Sequence, residues 1–241
     1  NDMQSIKTIY KIGPGPSSSH TFGPMMASKY INEHYPEATN FKITLFGSLA
    51  LTGKGHLTDK IILKTLGTSK CEIIFDMKTP VEHPNTMIIE VFDKDTKIAE
   101  HTFVSIGGGK IEIDGKKGNV DPEIYPHTKM DDIQVYCNER HLRLDQYIDE
   151  VEDSDFDSYM NQIFKQMLKT VNTGLKKTGV LPGSLKIDRV AHALHQSAQS
   201  CNDIQDKNSL LLSSYAYAAN EQNASGGIVV TAPTMGSCGV L

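Results

Sequence analysis

The chain has 241 residues, a formal net charge of −5 and a pI near 6.0; 39% of its residues are hydrophobic and 22% charged, the balance of a globular protein with a buried core. Basic residues are scattered, which argues against nucleic acid as a partner, and no apolar run approaches the ~20 residues that cross a bilayer. The N-terminal stretch lacks the apolar segment of a signal peptide, so a cytoplasmic location is expected.

The first predicted element is a helix carried by Met25 to His34, with Pro24 at its first position and Pro36 ending it. Phe41 to Leu45 alternates with period two, as a half-buried strand does. Glu72–Phe75 and Met87–Phe92 are two further strands by their β-branched and aromatic content. His101–Ile106 and Lys110–Ile113 flank Gly107-Gly108-Gly109, the pattern of a glycine-turned hairpin. Asp145 to Asp157 is acidic without a strand pattern and reads as a linker or a solvated helix entry. From there the period becomes helical. Phe156, Met160, Ile163, Phe164, Met167, Val171 and Leu175 form one apolar stripe behind an N-cap at Ser154. Val190–Gln199 and Leu210–Gln222 read as two more helices, and Ile228–Thr231 as a buried strand. The fold class expected is an α+β N-terminal domain, a mixed sheet with helices, over residues 1–145. A partial all-α domain over 146–241 follows it, and is expected to continue past Leu241.

Two stretches carry chemistry. Ser17, Ser18, Ser19, His20 and Thr21 stand directly before the first helix, where hydroxyls, backbone N–H groups and the positive end of a helix dipole suit a carboxylate or phosphate. A plain Ser-rich capping loop fits the same pattern. The second stretch, GSLALTGKGHLTD from Gly47 to Asp59, brushes against a Walker A loop without matching it, because Gly55 stands where the magnesium-binding hydroxyl belongs. Without a nucleotide site, it reads as a loop after a strand, holding Lys54 and His56 between glycines. A histidine so placed can act as a general base. His83-Pro84-Asn85 and the Gly107 turn are open between plain turns and ligand contacts. The four cysteines, Cys71, Cys137, Cys201 and Cys238, include no CxxC pair.

KIGPGPSSSHTFGP, GSLALTGKGHLTD, HPNTM and SIGGG, in this order, resemble the β domain of bacterial iron–sulfur-dependent L-serine dehydratases. TGVLPGSL, AYAANEQNASGG and VVTAPTMGSCGVL resemble the start of that family's α domain, and β and α parts on one chain are similar to its single-chain members. The resemblance implies a lyase that converts L-serine to pyruvate and ammonia with a [4Fe–4S] cluster as Lewis acid. It assigns His56 as base, with Lys54 and His20 beside it. Ser17, Ser18, Ser19 and Thr21 hold the substrate carboxylate, and Gly107 and Gly108 line the same pocket. Cys238 would be the first cluster ligand, with the others expected beyond Leu241. Met235 departs from the family pattern, where Asn or Cys is expected. L-Serine is then the partner, a homodimer the expected assembly, and neither nucleic acid nor membrane is involved. The rival from another class is a non-catalytic sensor of serine or a small carboxylate. A pyridoxal-phosphate lyase has only Lys54 before Gly55 to support it.

Overall fold

The computed structural model describes residues 3–118, 121–232 and Met235. It opens with strand β1 (Lys11–Pro14), then a π-helical turn over Ser18–Phe22 that runs into helix α1 (Gly23–His34). Next come β2 (Asn40–Phe46), α2 (Gly47–Thr52), α3 (Thr58–Leu66) and β3 (Cys71–Asp76). Strands β4 (Thr86–Asp93), β5 (Thr96–Gly107), β6 (Lys110–Ile113) and β7 (Lys116–Lys117) complete the sheet-forming part. The helical part contains α4 (Met130–Arg140), α5 (Leu144–Val151), α6 (Phe156–Gly174), α7 (Ala191–Ser200) and α8 (Ile204–Ala224), and is followed by β8 (Ile228–Thr231).

The sheet has six strands in the order β3-β2-β4-β5-β6-β7, with β2 and β3 parallel and the remaining neighbours antiparallel. Its inward positions follow the strand period. Phe41, Ile43 and Leu45 of β2 and Met87, Ile89 and Val91 of β4 pack under Ala27 and Ile31 of α1 and Ile62 and Leu66 of α3. Alternate residues carry the solvent side, where Lys97 reaches Glu90 at 3.2 Å and Lys42 reaches the same carboxylate at 3.7 Å. The result is the α+β region expected, followed by a helical one.

Several local expectations are corrected. Pro24 is the second helical residue, because the π-helical turn delivers the chain into the helix at Gly23. The stretch from Gly47 is a short helix, α2, rather than a loop. Gly47 opens it at φ +51°, where a Cβ would stand 2.7 Å from the Pro84 carbonyl oxygen, so only glycine fits. The acidic stretch after residue 144 folds as α5, which buries Tyr147 against Tyr125, Ile133 and Cys137. Residues 145 and 146 both lie inside this helix. Helix α6 starts behind Asp155 with no side-chain cap, so Ser154 does not play that part. Its stripe faces inward at Ile163, with Met160, Met167 and Val171 partly buried, whereas Phe164 is exposed.

Helices α6 and α8 approach very closely at Gly174. A Cβ there would lie 2.3 Å from the carbonyl oxygen of Ala218, so this glycine is set by backbone contact and not by the helix end alone. Strand β8 pairs antiparallel with β1, Lys11 opposite Thr231 and Pro14 opposite Ile228, and the Gly15 N–H donates to the Gly227 carbonyl at 2.9 Å. This pairing lays the serine-rich loop against the end of α8. No helix among the described residues is long and apolar enough to cross a membrane.

Candidate active site

The serine-rich loop is shaped by its own hydroxyls. Ser17 sits in extended backbone before the π-helical turn and its hydroxyl accepts the His20 N–H at 3.1 Å, an N-cap contact. The His20 ring is gripped from both sides, Nδ1 lying 2.8 Å from Ser19 Oγ and Nε2 2.8 Å from Ser48 Oγ. Ser48 is held in turn by α2, where its N–H donates to the Pro84 carbonyl at 2.7 Å. The Asn85 carbonyl accepts the Ser105 N–H at 3.0 Å. Thus the His83-Pro84-Asn85 turn connects the strand that enters the Gly107 turn to the helix that fixes His20.

His56 stands on the turn between α2 and α3, and its ring is tilted 35° to that of His20 with centroids 4.7 Å apart. Its Nδ1 is 3.0 Å from the Thr52 carbonyl oxygen, which can only accept, so Nδ1 bears a proton and Nε2 is the nitrogen that a neutral His56 ring has available to accept one. The turn is tied down firmly. Thr21 Oγ1 donates to the His56 carbonyl at 2.6 Å, and Thr58 Oγ1 donates to the carbonyl of His20. The next residue, Leu57, is forced to φ +59°, a left-handed conformation that costs a non-glycine residue about 1–3 kcal/mol. These crossed threonine bonds, one in each direction, hold the two histidine segments together.

Burial holds the His20 imidazole below the ordinary histidine value of 6.5; the charge of His56 adds to this, while a hydrogen bond with Ser48 opposes it. The folded chain therefore keeps His20 neutral at pH values where the unfolded chain binds a proton. Its effect on stability is nil above about pH 6.5, and stability is lost as pH falls through that value toward the lower folded one. Thermal melts across this range should show a smaller acid-side decline in His20→Asn than in the parent. Parallel declines would contradict the assignment.

A cavity of about 210 Å³ opens on the serine loop, lined by Pro14 to Ser19 on one side and by Asn223, Thr231 and Met235 on the other. Thr231 is 7% exposed, and its hydroxyl has no hydrogen-bond partner. Asn223 donates to the Pro16 carbonyl, and a Cβ on Gly15 would collide with the Asn223 carbonyl oxygen at 2.3 Å. The wall of this cavity therefore comes from the helical part of the chain. Met235, where the resemblance leads one to expect Asn or Cys, is buried and lines it.

The structure brings Ser17, Ser18, Ser19, His20, Thr21 and His56 together, and gives Lys54, Gly107 and Gly108 other surroundings. Thr21 is buried with its hydroxyl committed to His56, so it joins two loops and is absent from the cavity lining. Lys54 is exposed, its ammonium 5.1 Å over the Phe75 ring. Gly108 lines a different cavity, while at Gly107 a Cβ would meet nothing within 4 Å. Ser48, Asn223 and Thr231 were missed as individual residues, although each lies inside a quoted motif. Cys238 lies outside the described residues. Of the other thiols, Cys71 is pushed up to about 11 by burial, Cys137 is buried under Tyr147, and Cys201 lies 3.6 Å from the Asp203 carbonyl. Among the described residues no three His, Cys, Asp or Glu side chains gather as metal ligands, so these residues do not fit a four-iron cluster by themselves.

The family model for the serine dehydratase beta chain matches residues 5–74, and that for the serine dehydratase alpha chain matches residues 49–241. The chain belongs to the serine dehydratase family. It is 32% identical to L-serine dehydratase 2 of Escherichia coli over 297 residues, covering 99% of this chain and 64% of that protein. The L-serine dehydratase of Haemophilus influenzae is 29% identical, with 99% of this chain and 65% of the relative covered. That of Helicobacter pylori is 32% identical, with 98% and 64% covered. The chain thus spans just under two thirds of the length of the curated relatives it matches.

Proposed function

We propose that this protein takes part in the β-elimination of water from L-serine, giving aminoacrylate, which becomes pyruvate and ammonia. The observation that supports this reading is a hydroxyl-lined cavity joined to two histidine rings, 4.7 Å apart, through the contact of His20 with Ser19, although neither ring is among the residues that line it. The names of the relatives, all L-serine dehydratases, support it. In this reading Ser17, Ser18 and Ser19 receive the substrate carboxylate. His56 Nε2 takes the Cα proton. His20, neutral and held between two serine hydroxyls, keeps the His56 ring in place without adding a second positive charge. Lys54 is assigned no contact with substrate, because its ammonium is placed on Phe75.

The [4Fe–4S] cluster implied by the family resemblance belongs to this proposal, but no step is derived through it, since the described residues supply no ligand set. The proposal includes an α+β serine-binding unit and a helical unit that meet around α5, a cytoplasmic location, and assembly as a homodimer. No observation favours the sensor reading, in which the same cavity binds serine without turnover.

The test is an anaerobic assay of the intact protein with L-serine, following pyruvate. Pyruvate formation that is lost on exposure to air supports the reading. Saturable L-serine binding with no pyruvate would replace it with the sensor.

A further inference from the structure

A second and larger cavity, about 400 Å³, lies between β1, the start of α1 and the β5–β6–β7 hairpins. Phe22, Met26 and Ile111 give it apolar walls, while Lys11, Lys110, Lys117 and Asp121 bring charge to it. The charges do not balance: three ammonium groups face one carboxylate, and Asp121 already pairs with Lys110 at 3.3 Å. Lys11 is only partly exposed, and its ammonium has no hydrogen bond or ion pair among the described residues. Lys11, Lys110 and Asp121 line the same cavity, and burial depresses the Lys11 pKa, with Asp121 opposing that shift and Lys110 adding to it. An ammonium partly stripped of water beside another cation is a position that an incoming anion relieves. The volume falls in the range of small-molecule sites, and the apolar walls call for an apolar body behind the anionic head.

We infer that this cavity binds a small monocarboxylate carrying an aromatic or branched apolar body, its carboxylate between Lys11 and Lys110 and its body against Phe22 and Met26. This site is distinct from the serine-loop cavity, with which it shares no lining residue. It nonetheless touches the same segment, because Phe22 ends the turn that Ser18 begins. L-Serine is the wrong shape for it: a hydroxymethyl group gains nothing from these walls.

Titration calorimetry of the intact protein with phenylacetate tests the assignment, with phenylacetamide as the neutral counterpart and acetate as the anion without a body. Phenylacetate should bind at least roughly tenfold more tightly than either. Lys11→Met, which keeps the apolar stem, and Lys110→Met, at a more exposed position, should each weaken it by a similar factor while melting like the parent. Equal binding of phenylacetamide, or undiminished binding by both variants, would overturn the carboxylate site. Displacement of phenylacetate by L-serine would place the probe in the serine-loop cavity and overturn it as well. None of these outcomes depends on whether the protein turns L-serine over.

Discussion

Replacing His56 with alanine should lower kcat for L-serine by about 10²–10⁴-fold, the usual worth of a positioned general base, with a much smaller change in KM. The direction follows from two hydrogen bonds. The Thr52 carbonyl fixes the tautomer of the neutral His56 ring with Nε2 as acceptor, and Thr21 holds the His56 backbone. The substitution removes the imidazole with its bond to Thr52 and keeps two backbone anchors, the His56 N–H donating to the Thr52 carbonyl at 3.1 Å and the His56 carbonyl accepting from Thr21. The serine loop and its hydroxyls therefore survive, and so should L-serine binding. Steady-state kinetics with calorimetric binding of L-serine separates the roles. Near-normal turnover in His56→Ala would move the base to His20 or elsewhere. Loss of binding together with turnover would show that His56 shapes the cavity and does not act as the base.

The second large effect is on stability, far from the histidines in sequence. Glu221, near the end of α8, is 3% exposed, and its Oε1 accepts the N–H groups of Val190 at 2.6 Å and Ala191 at 3.0 Å. It thereby caps the start of α7 with a full negative charge, where a helix dipole favours one. Its other oxygen lies 4.0 Å from Arg189 Nη1, and both of these atoms are otherwise unpartnered. Glu221→Ala removes an acceptor from two helix N–H groups and leaves a buried guanidinium without its counter-charge. The expected cost is about 3–5 kcal/mol, read from urea unfolding midpoints. Glu221→Gln keeps an amide oxygen for the two N–H groups and should cost less. If alanine and glutamine cost the same, the ion pair with Arg189 carries the stability and the cap carries little. A loss below about 1 kcal/mol for alanine would remove both roles. Because Asn223 lies two residues beyond and lines the serine-loop cavity, the alanine variant should also weaken L-serine binding.

What could be read from residues alone were the elements whose cause is local. Strands β2 and β4 alternate inward and outward over five or more residues, and α6 and α8 run long enough for their spacing to show. Helix α2 could not be seen that way. It is only six residues long, starts on a glycine at positive φ, and is held by the Pro84 carbonyl, an acceptor supplied by another turn. Helix α5 was obscured by its charge: four of its eight residues are polar or acidic, and only Tyr147 is buried.

The same division runs through the site. Composition excluded a membrane-crossing helix, and the ordered motifs pointed to the serine dehydratase family; both rest on short stretches of chain whose chemistry is legible in place. Local sequence also marked Ser17 to His20 and His56 as the reactive positions, since a serine-rich helix entrance and a glycine-flanked histidine carry their chemistry with them. Only the tertiary structure decided which of them meet. It set the His56 ring beside that of His20, placed the Lys54 ammonium over Phe75, and committed Thr21 to a carbonyl. It also completed the cavity with Asn223 and Thr231, through a strand pairing that joins Lys11 to Thr231 across most of the chain. The physical reason is that a hydroxyl or an amide has no fixed partner in the sequence. Its role is set by whichever acceptor the folded backbone brings within about 3 Å.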